Sequence, residues 1–157
     1  MKKLYFLIVL FVLASLAIQG QNVVFSESFD NGGVPEGWIL LDADGDGYNW
    51  FSNDDPYFSA VLADNFLPYS GDGYMLSSSY VDNNSLDPDN WLISPAITIS
   101  VDAELSYYVR TLEVSYPDHY GVFISTTGTS PSDFVWLFDE TASSEWISRT
   151  LDLSAHV

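Results

Sequence analysis

A run of alternating aspartates, Asp42-Ala43-Asp44-Gly45-Asp46-Gly47-Tyr48, is the part of this sequence best suited to chemistry. Carboxylates at i, i+2 and i+4, with glycines that let the backbone curl, can converge on one hard cation. Three carboxylates this close together repel one another unless a positive ion lies between them. We therefore predict a calcium loop with Asp42, Asp44, Asp46 and the carbonyl of Tyr48 as ligands. A plain acidic turn without a metal is the alternative.

The aspartate run matches only the first half of an EF-hand loop. The twelfth position holds Asn53 instead of the bidentate glutamate, and the flanking sequence has no helical periodicity. We therefore expect distant residues to complete the coordination. Asp87-Pro88-Asp89-Asn90 also carries oxygen ligands, but this composition is more typical of a turn.

Glu27 is a second acidic candidate, because it lies inside the alternating run Phe25-Ser26-Glu27-Ser28-Phe29. If the two phenylalanines face the core, Glu27 does so too, and a buried carboxylate needs a cation or a strong partner. If Ser26 and Ser28 face inward instead, Glu27 is solvated. Glu27 is accordingly a candidate metal ligand with both orientations open.

The sequence provides few residues for catalysis, and we predict no catalytic residue and no enzyme activity. The chain has no cysteine, no Gly-x-Ser-x-Gly elbow and no His-Glu-x-x-His pair. Its two histidines are His119 and His156, and a serine-histidine-aspartate set would depend on His119 alone.

Aromatic residues are the remaining candidates for ligand contact. The five tryptophans lie in strand-like runs, where core packing is the default expectation. Aromatic residues in or beside loops can stack on sugar rings or on a protein partner, although core or loop anchoring is the alternative for each. The candidates of this kind are Tyr57, Phe58, Phe66, Tyr69 and Tyr116.

The charge balance excludes whole classes of partner. The 157 residues include 22 Asp+Glu against 4 Lys+Arg, a formal net charge of -18, and Lys2 and Lys3 are two of the four basic residues. So acidic a surface repels nucleic acid and anionic lipid. Hydrophobic residues nevertheless make up 47% of the chain, which is too many for a disordered acidic tail and predicts one compact domain.

The N-terminus predicts export. Met1-Lys2-Lys3 precedes an apolar stretch that ends near Ala17 and Gly20, which is typical of a signal peptide. A membrane anchor is the alternative, but the stretch is shorter than the ~20 residues of a bilayer span. We predict a signal peptide over residues 1–20, a mature domain over 21–157, and no membrane insertion after cleavage. Without cysteine, a core or metal ions must hold the exported fold together.

Short alternating or β-rich runs separated by Gly, Pro, Asn, Asp and Ser predict an all-β fold, an antiparallel sandwich or jelly roll. One helical turn is expected to begin at Ser130, with Pro131 at its first position. The predicted strands cover residues 23–29, 38–41, 48–51, 58–62, 74–80, 91–94, 96–101, 104–111, 120–126, 134–138 and 146–153.

The order of several motifs resembles the cleaved-adhesin family, the adhesin or haemagglutinin modules attached to gingipain proteases, also called choice-of-anchor J domains. The motifs that carry the resemblance are Glu27-Ser28-Phe29-Asp30, Val34-Pro35-Glu36-Gly37-Trp38, the Asp42–Trp50 stretch, Asp89-Asn90-Trp91-Leu92-Ile93-Ser94-Pro95, Tyr107-Tyr108-Val109, Ser125-Thr126-Thr127-Gly128, Ser132-Asp133-Phe134 and Arg149-Thr150-Leu151-Asp152-Leu153.

The resemblance implies a jelly-roll β-sandwich that binds calcium structurally and serves as a non-catalytic adhesin at the bacterial cell surface, often within a larger protein. Family members continue beyond the segment 146–153 with further strands, so the resemblance also implies a C-terminally truncated domain. The leading hypothesis is thus a secreted, calcium-stabilised module that recognises host protein or glycan. An accessory domain of a secreted peptidase or other hydrolase is the alternative, and a spacer without a ligand is the third.

Overall fold

The computed structural model of the chain describes residues 22–56 and 66–157. The signal peptide predicted for residues 1–20 and the strand predicted for 58–62 lie outside these ranges. The regular elements of the described ranges are β1 (Ile39–Asp42), β2 (Phe51–Ser52), β3 (Met75–Leu76), β4 (Tyr80–Val81), β5 (Asn84–Ser85), β6 (Asn90–Ile93), β7 (Glu104–Val109), β8 (His119–Ile124), β9 (Val135–Thr141), β10 (Ile147–Asp152) and two 3-10 helices, Pro131–Asp133 and Ser154–His156.

These strands form five antiparallel ladders: β1 with β6, β2 with β3, β4 with β5, β7 with β10, and β8 with β9. The prediction of an all-β antiparallel fold is confirmed. Within the described ranges, no helix is long and apolar enough to cross a membrane.

The two longest ladders show the inward and outward alternation of half-buried sheets. In β7, Leu105, Tyr107 and Val109 are half-buried, whereas the residues between them are exposed. β8 has the same pattern, and a bulge after Val122 shifts its register with β9. Each ladder therefore has one packed face and one face open to solvent.

Two predicted strands do not take part in the ladders of the described ranges. The segments 23–29 and 96–101 carry clear period-2 patterns, yet no strand of the described ranges forms a ladder with either. The alternation specifies the faces of a strand but does not supply a neighbouring strand for its N–H and C=O groups. The prediction of a ladder strand was wrong for both segments.

The helical turn predicted at Ser130 is confirmed as the 3-10 helix Pro131–Asp133. The Asp133 carboxylate accepts the backbone N–H of Ser130 at 3.0 Å, and the Ser130 carbonyl accepts the N–H of Asp133 at 2.8 Å. These two hydrogen bonds satisfy backbone groups at the helix start, and the Asp133 carboxylate takes the part that the N3 acidic residue has in a capping box.

A small aromatic core lies beneath the β2–β3 ladder. Phe51, Phe66 and Tyr74 form this cluster. The rings of Phe66 and Tyr74 meet edge to face with centroids 5.0 Å apart, a favourable geometry for aromatic pairs. The Tyr74 hydroxyl donates a hydrogen bond of 2.9 Å to the carbonyl of Phe66, and the Arg110 guanidinium lies 4.7 Å from the Phe66 ring centroid.

A polar network joins the two longest ladders. Tyr107 of β7 and Tyr120 of β8 share a hydrogen bond of 3.0 Å, and the Tyr120 hydroxyl donates to Glu140 of β9 at 2.7 Å. Arg149 of β10 donates to both oxygens of Glu140 at 2.8 Å. The Arg149 hydrogen bonds, followed by that of Tyr120, lower the pKa of Glu140, while burial raises the pKa of Tyr120.

We expect Glu140→Gln to destabilise the domain by about 2 kcal/mol, because the substitution removes a bidentate charge-assisted pair. The lowered pKa means that this contribution is complete above the ordinary carboxyl value of 4.5 and is lost as the pH falls through the lowered value. Urea unfolding of both proteins at neutral and strongly acid pH measures the difference. A difference that persists unchanged in acid would contradict the assignment.

Candidate metal centre

The aspartate loop begins where the β1–β6 ladder ends. Asp42 is the last residue of β1 and pairs with Asn90, the first residue of β6. The ladder fixes the position of Asp42, and the loop then leaves the sheet as a bend. The N–H of Ala43 donates to the carbonyl of Asp89 at 2.9 Å and holds the start of the loop against β6.

The structure brings the three predicted aspartates together. Carboxylate oxygens of Asp42, Asp44 and Asp46 all lie within 4.8 Å of one another. Within residues 22–56 and 66–157, these three side chains form the cluster of potential metal ligands that could hold an ion. Asp42 is half-buried, whereas Asp44 and Asp46 are exposed. The spacing deduced from the sequence thus gives the convergence that a hard cation requires.

Backbone N–H groups hold these carboxylates in place. Asp42 accepts the N–H of Gly45 at 2.6 Å and that of Gly47 at 2.9 Å. Both glycines have positive φ values, +74° and +89° respectively, which side chains disfavour. Glycine at these two positions lets the loop curl around the Asp42 carboxylate.

Asp44 connects the loop to the segment before β6. Its carboxylate accepts the N–H of Asp89 at 2.5 Å and the N–H of Asp46 at 2.9 Å. The Asp89 hydrogen bond, followed by that of Asp46, lowers the pKa of Asp44. Asp44 therefore stays ionised at neutral pH and can present a negative oxygen to a cation.

Asn90 provides an oxygen that the sequence interpretation assigned to a turn. Its side-chain Oδ1 is buried and, in the described part of the chain, has no hydrogen-bond partner, while its Nδ2 donates to Ser77 at 3.2 Å. Asn90 lies opposite Asp42, and opposed residues of a ladder project from the same face. A buried oxygen without a partner, on the residue opposite Asp42, fits a metal ligand. Asn90 becomes a candidate ligand because its oxygen is buried without a partner, and no sequence pattern indicated it.

The available donors fit calcium. They are carboxylate and amide oxygens, the ligands that a hard cation prefers, and the chain has no cysteine to favour a softer metal. Bound there, the cation would neutralise the three carboxylates and link the loop to β6, which is a structural role. Asp42, Asp44, Asp46 and Asn90 are the residues that would hold it.

The other predicted ligands have different surroundings. The N–H of Tyr48 donates to Asp46 at 2.8 Å, and its carbonyl stays a predicted ligand. Glu27 is half-buried, accepts the N–H of Phe29 at 2.8 Å and lines a separate pocket of about 330 Å³. Phe25 and Phe29, two residues to either side of Glu27, both contact the ring of Trp38. Glu27 is not part of the aspartate group.

The predicted ligand-binding aromatics are divided between core and surface. Phe66 is only 8% exposed and belongs to the aromatic core. Tyr69 is 50% exposed, but its ring stacks on Tyr108 with centroids 3.6 Å apart. Tyr116 is 79% exposed. Tyr57 and Phe58 lie outside the described residues.

We expect Asn90→Leu to lower the affinity for calcium about tenfold, because the substitution removes one oxygen ligand. In the presence of a chelator the same change should cost little stability, since it also removes a buried oxygen without a partner. Calcium titration followed by thermal unfolding in EDTA measures both effects. Unchanged calcium affinity would exclude Asn90 as a ligand.

The fold and the loop define an antiparallel β-domain with a candidate cation site at the end of a sheet strand. A sequence model described as the Cleaved Adhesin Domain matches residues 22–156. The chain belongs to this family, and the resemblance deduced from its motifs is confirmed.

Similar proteins come from Porphyromonas gingivalis. The chain is 36% identical over 159 residues to Hemagglutinin A of strain W83, covering 87% of this chain and 7% of that protein. It is 32% identical over 160 residues to Lys-gingipain of strain ATCC 33277, covering 87% of this chain and 9% of that protein. The chain therefore spans less than a tenth of the length of these relatives and matches one domain of them.

Solved structures agree with the family assignment. The K1 cleaved adhesin domain of Lys-gingipain from P. gingivalis W83 superposes with a TM-score of 0.70 at 31% identity, covering 83% of this chain and 81% of that one. The K2 domain of Lys-gingipain gives a TM-score of 0.68 at 33% identity, covering 82% of both chains. Both of these solved structures are cleaved adhesin domains of Lys-gingipain.

Proposed function

We propose that the chain is a secreted, calcium-stabilised and non-catalytic binding module that recognises host protein or glycan at the bacterial surface. Membership of the Cleaved Adhesin Domain family over residues 22–156 carries the adhesive part of this proposal. The signal peptide predicted for residues 1–20 supports export.

Calcium has a stabilising role in this proposal. The converging carboxylates of Asp42, Asp44 and Asp46 and the buried oxygen of Asn90 support a bound ion. The core is small, with few buried hydrophobic side chains among the described residues, and no disulfide is available to a chain without cysteine. A metal ion that links a loop to β6 adds stability that such a fold lacks.

An accessory domain of a secreted peptidase is the second candidate. Relatives named Lys-gingipain and Protease PrtH support it, and the chain corresponds to 9% and 15% of their lengths. If the second candidate applies, the native protein is found in one polypeptide with a peptidase domain. Peptide mapping of the native protein from culture medium detects or excludes peptidase sequence in that polypeptide.

Binding is tested by exposing the labelled full chain to arrays of host matrix proteins and glycans, in calcium and in EDTA. We expect binding in calcium that weakens in EDTA, and weaker binding by Asp44→Asn in calcium. Asp152→Asn provides a matched control, because Asp152 also accepts a backbone N–H but lies outside the loop, at the end of β10. Blank arrays in calcium would contradict the adhesin proposal and favour a spacer.

A further inference from the structure

The solvent face of the β8–β9 ladder carries exposed aromatic rings where polar residues are expected. Phe123 and Trp136 are opposed residues of this ladder and are 39% and 58% exposed. Tryptophan is usually mostly buried in a monomeric domain. Two exposed rings side by side on a rigid sheet are typical of a contact surface rather than of a core.

Further rings extend this surface toward the metal loop. Trp91 of β6 packs against Phe123 and Phe134, with ring centroids 4.9 and 5.3 Å apart. We call Trp91, Phe123, Phe134 and Trp136 the aromatic face. Gly121 lies beneath it, since a Cβ atom there would be 2.7 Å from the ring of Phe123. Because Gly121 has no side chain, the ring of Phe123 can pack against the backbone of the sheet at that position.

Carboxylates flank the aromatic face on two sides. Asp139 is exposed and opposes Gly121 in the ladder, and its Oδ2 lies 2.7 Å from Nε2 of His119. On the other side, Asp89 accepts the indole N–H of Trp91 at 2.8 Å. Aromatic rings with carboxylates beside them attract a cation by two interactions, a cation–π interaction with the ring faces and Coulomb attraction to the negative oxygens.

The charge of the whole chain favours the same kind of ligand. The net charge is -18, and the basic residues after Lys3 are Arg110 and Arg149 alone. Arg110 lies over the Phe66 ring and Arg149 is paired with Glu140, so both are engaged within the domain. The negative electrostatic potential of the protein repels anionic ligands and attracts cationic ligands to its surface.

We propose that the aromatic face binds a cationic segment of a protein partner, with arginine or lysine side chains over Trp136 and Phe123 and near Asp139 and Asp89. This inference rests on the proposed binding function and names both the surface and the chemistry of the partner. Arginine is the best match, because its planar guanidinium both stacks on aromatic rings and pairs with carboxylates.

A second group of exposed rings fits a ligand less well. Tyr69 and Tyr108 stack face to face with an angle of 14° between their planes, so each ring covers one face of the other. The aromatic face differs because the rings of Phe123 and Trp136 extend along the sheet, where a partner can cover both.

The test uses the full chain in calcium and an alternating Gly-Arg octapeptide, with a Gly-citrulline octapeptide as the uncharged match. We expect the arginine peptide to bind at least about tenfold more tightly than the citrulline peptide. Trp136→Ala should weaken arginine-peptide binding about tenfold. Because this substitution keeps the net charge, non-specific attraction to an acidic protein predicts no change.

Tyr80→Ala is the matched control, since it removes a ring of β4 that is 61% exposed and lies outside the aromatic face, and it should change affinity less than about twofold. Equal binding of the two peptides, an unchanged Trp136→Ala affinity or an equal loss in Tyr80→Ala would overturn the proposal. Trp136-dependent binding of an uncharged oligosaccharide would overturn it in favour of a glycan site. If the arrays show calcium-dependent binding that Trp136→Ala leaves unchanged, only this inference fails. If the arrays are blank, the proposed function fails as well.

Discussion

Calcium at a concentration 100-fold above its Kd should stabilise the chain by about 2.7 kcal/mol, raising its Tm by about 8 °C. The physical reason is that the ion neutralises the converging carboxylates of Asp42, Asp44 and Asp46, which otherwise repel one another. Asp44→Asn should remove most of this increment, because it replaces a charged ligand with a neutral one. Thermal unfolding in calcium and in EDTA measures the increment for each protein.

The asparagine at position 44 keeps an oxygen for the N–H of Asp89, so the apo fold should retain this link between the loop and β6. Asp152→Asn controls for loss of charge elsewhere and should keep the whole calcium increment. A calcium increment that Asp44→Asn retains in full would place the ion elsewhere in the chain. An equal loss in both variants would indicate a general charge effect rather than a site.

Phe66→Ala should destabilise the domain by about 3 kcal/mol, because it removes a buried ring from the aromatic core. The ring of Phe66 meets Tyr74 edge to face, lies 6.1 Å from the ring of Trp146 and supports the guanidinium of Arg110. Chemical unfolding by urea, followed by tryptophan fluorescence, measures the loss.

Tyr116→Ala is the control for Phe66, since it truncates an aromatic side chain that is largely exposed to solvent and should change stability by less than about 0.5 kcal/mol. The comparison separates the two roles that the sequence leaves open for these aromatics. A stable Phe66→Ala protein that loses binding would show that the ring contacts a ligand and is not a packing residue.

The sequence predicted most of the β-structure, because alternating runs such as 104–109 and 147–152 form the β7–β10 ladder. It also predicted the helical turn at Ser130, where the proline and the aspartate are local signals. It did not predict that segments 23–29 and 96–101 form no ladder with the strands of residues 22–56 and 66–157, because pairing depends on distant strands and not on local pattern.

The convergence of Asp42, Asp44 and Asp46 was predictable because these residues are close in sequence, with glycines at the positions of positive φ. Asn90 was not, since its importance comes from a buried oxygen and from its register opposite Asp42. For Trp136, the expectation of core packing was wrong. A strand-like run predicted core packing, but the face that a strand residue takes depends on what covers the sheet, and the structure leaves Trp136 exposed.

Calorimetric titration of calcium into the full chain measures directly whether the aspartate loop binds the ion. We expect one calcium ion bound per chain at the aspartate loop, and loss of the binding heat in the triple variant Asp42→Asn, Asp44→Asn and Asp46→Asn. Circular dichroism of that variant in EDTA checks that it keeps the β-fold of the parent chain. The absence of binding heat in the parent chain, or the same heat in the folded triple variant, would exclude a calcium site at the aspartate loop.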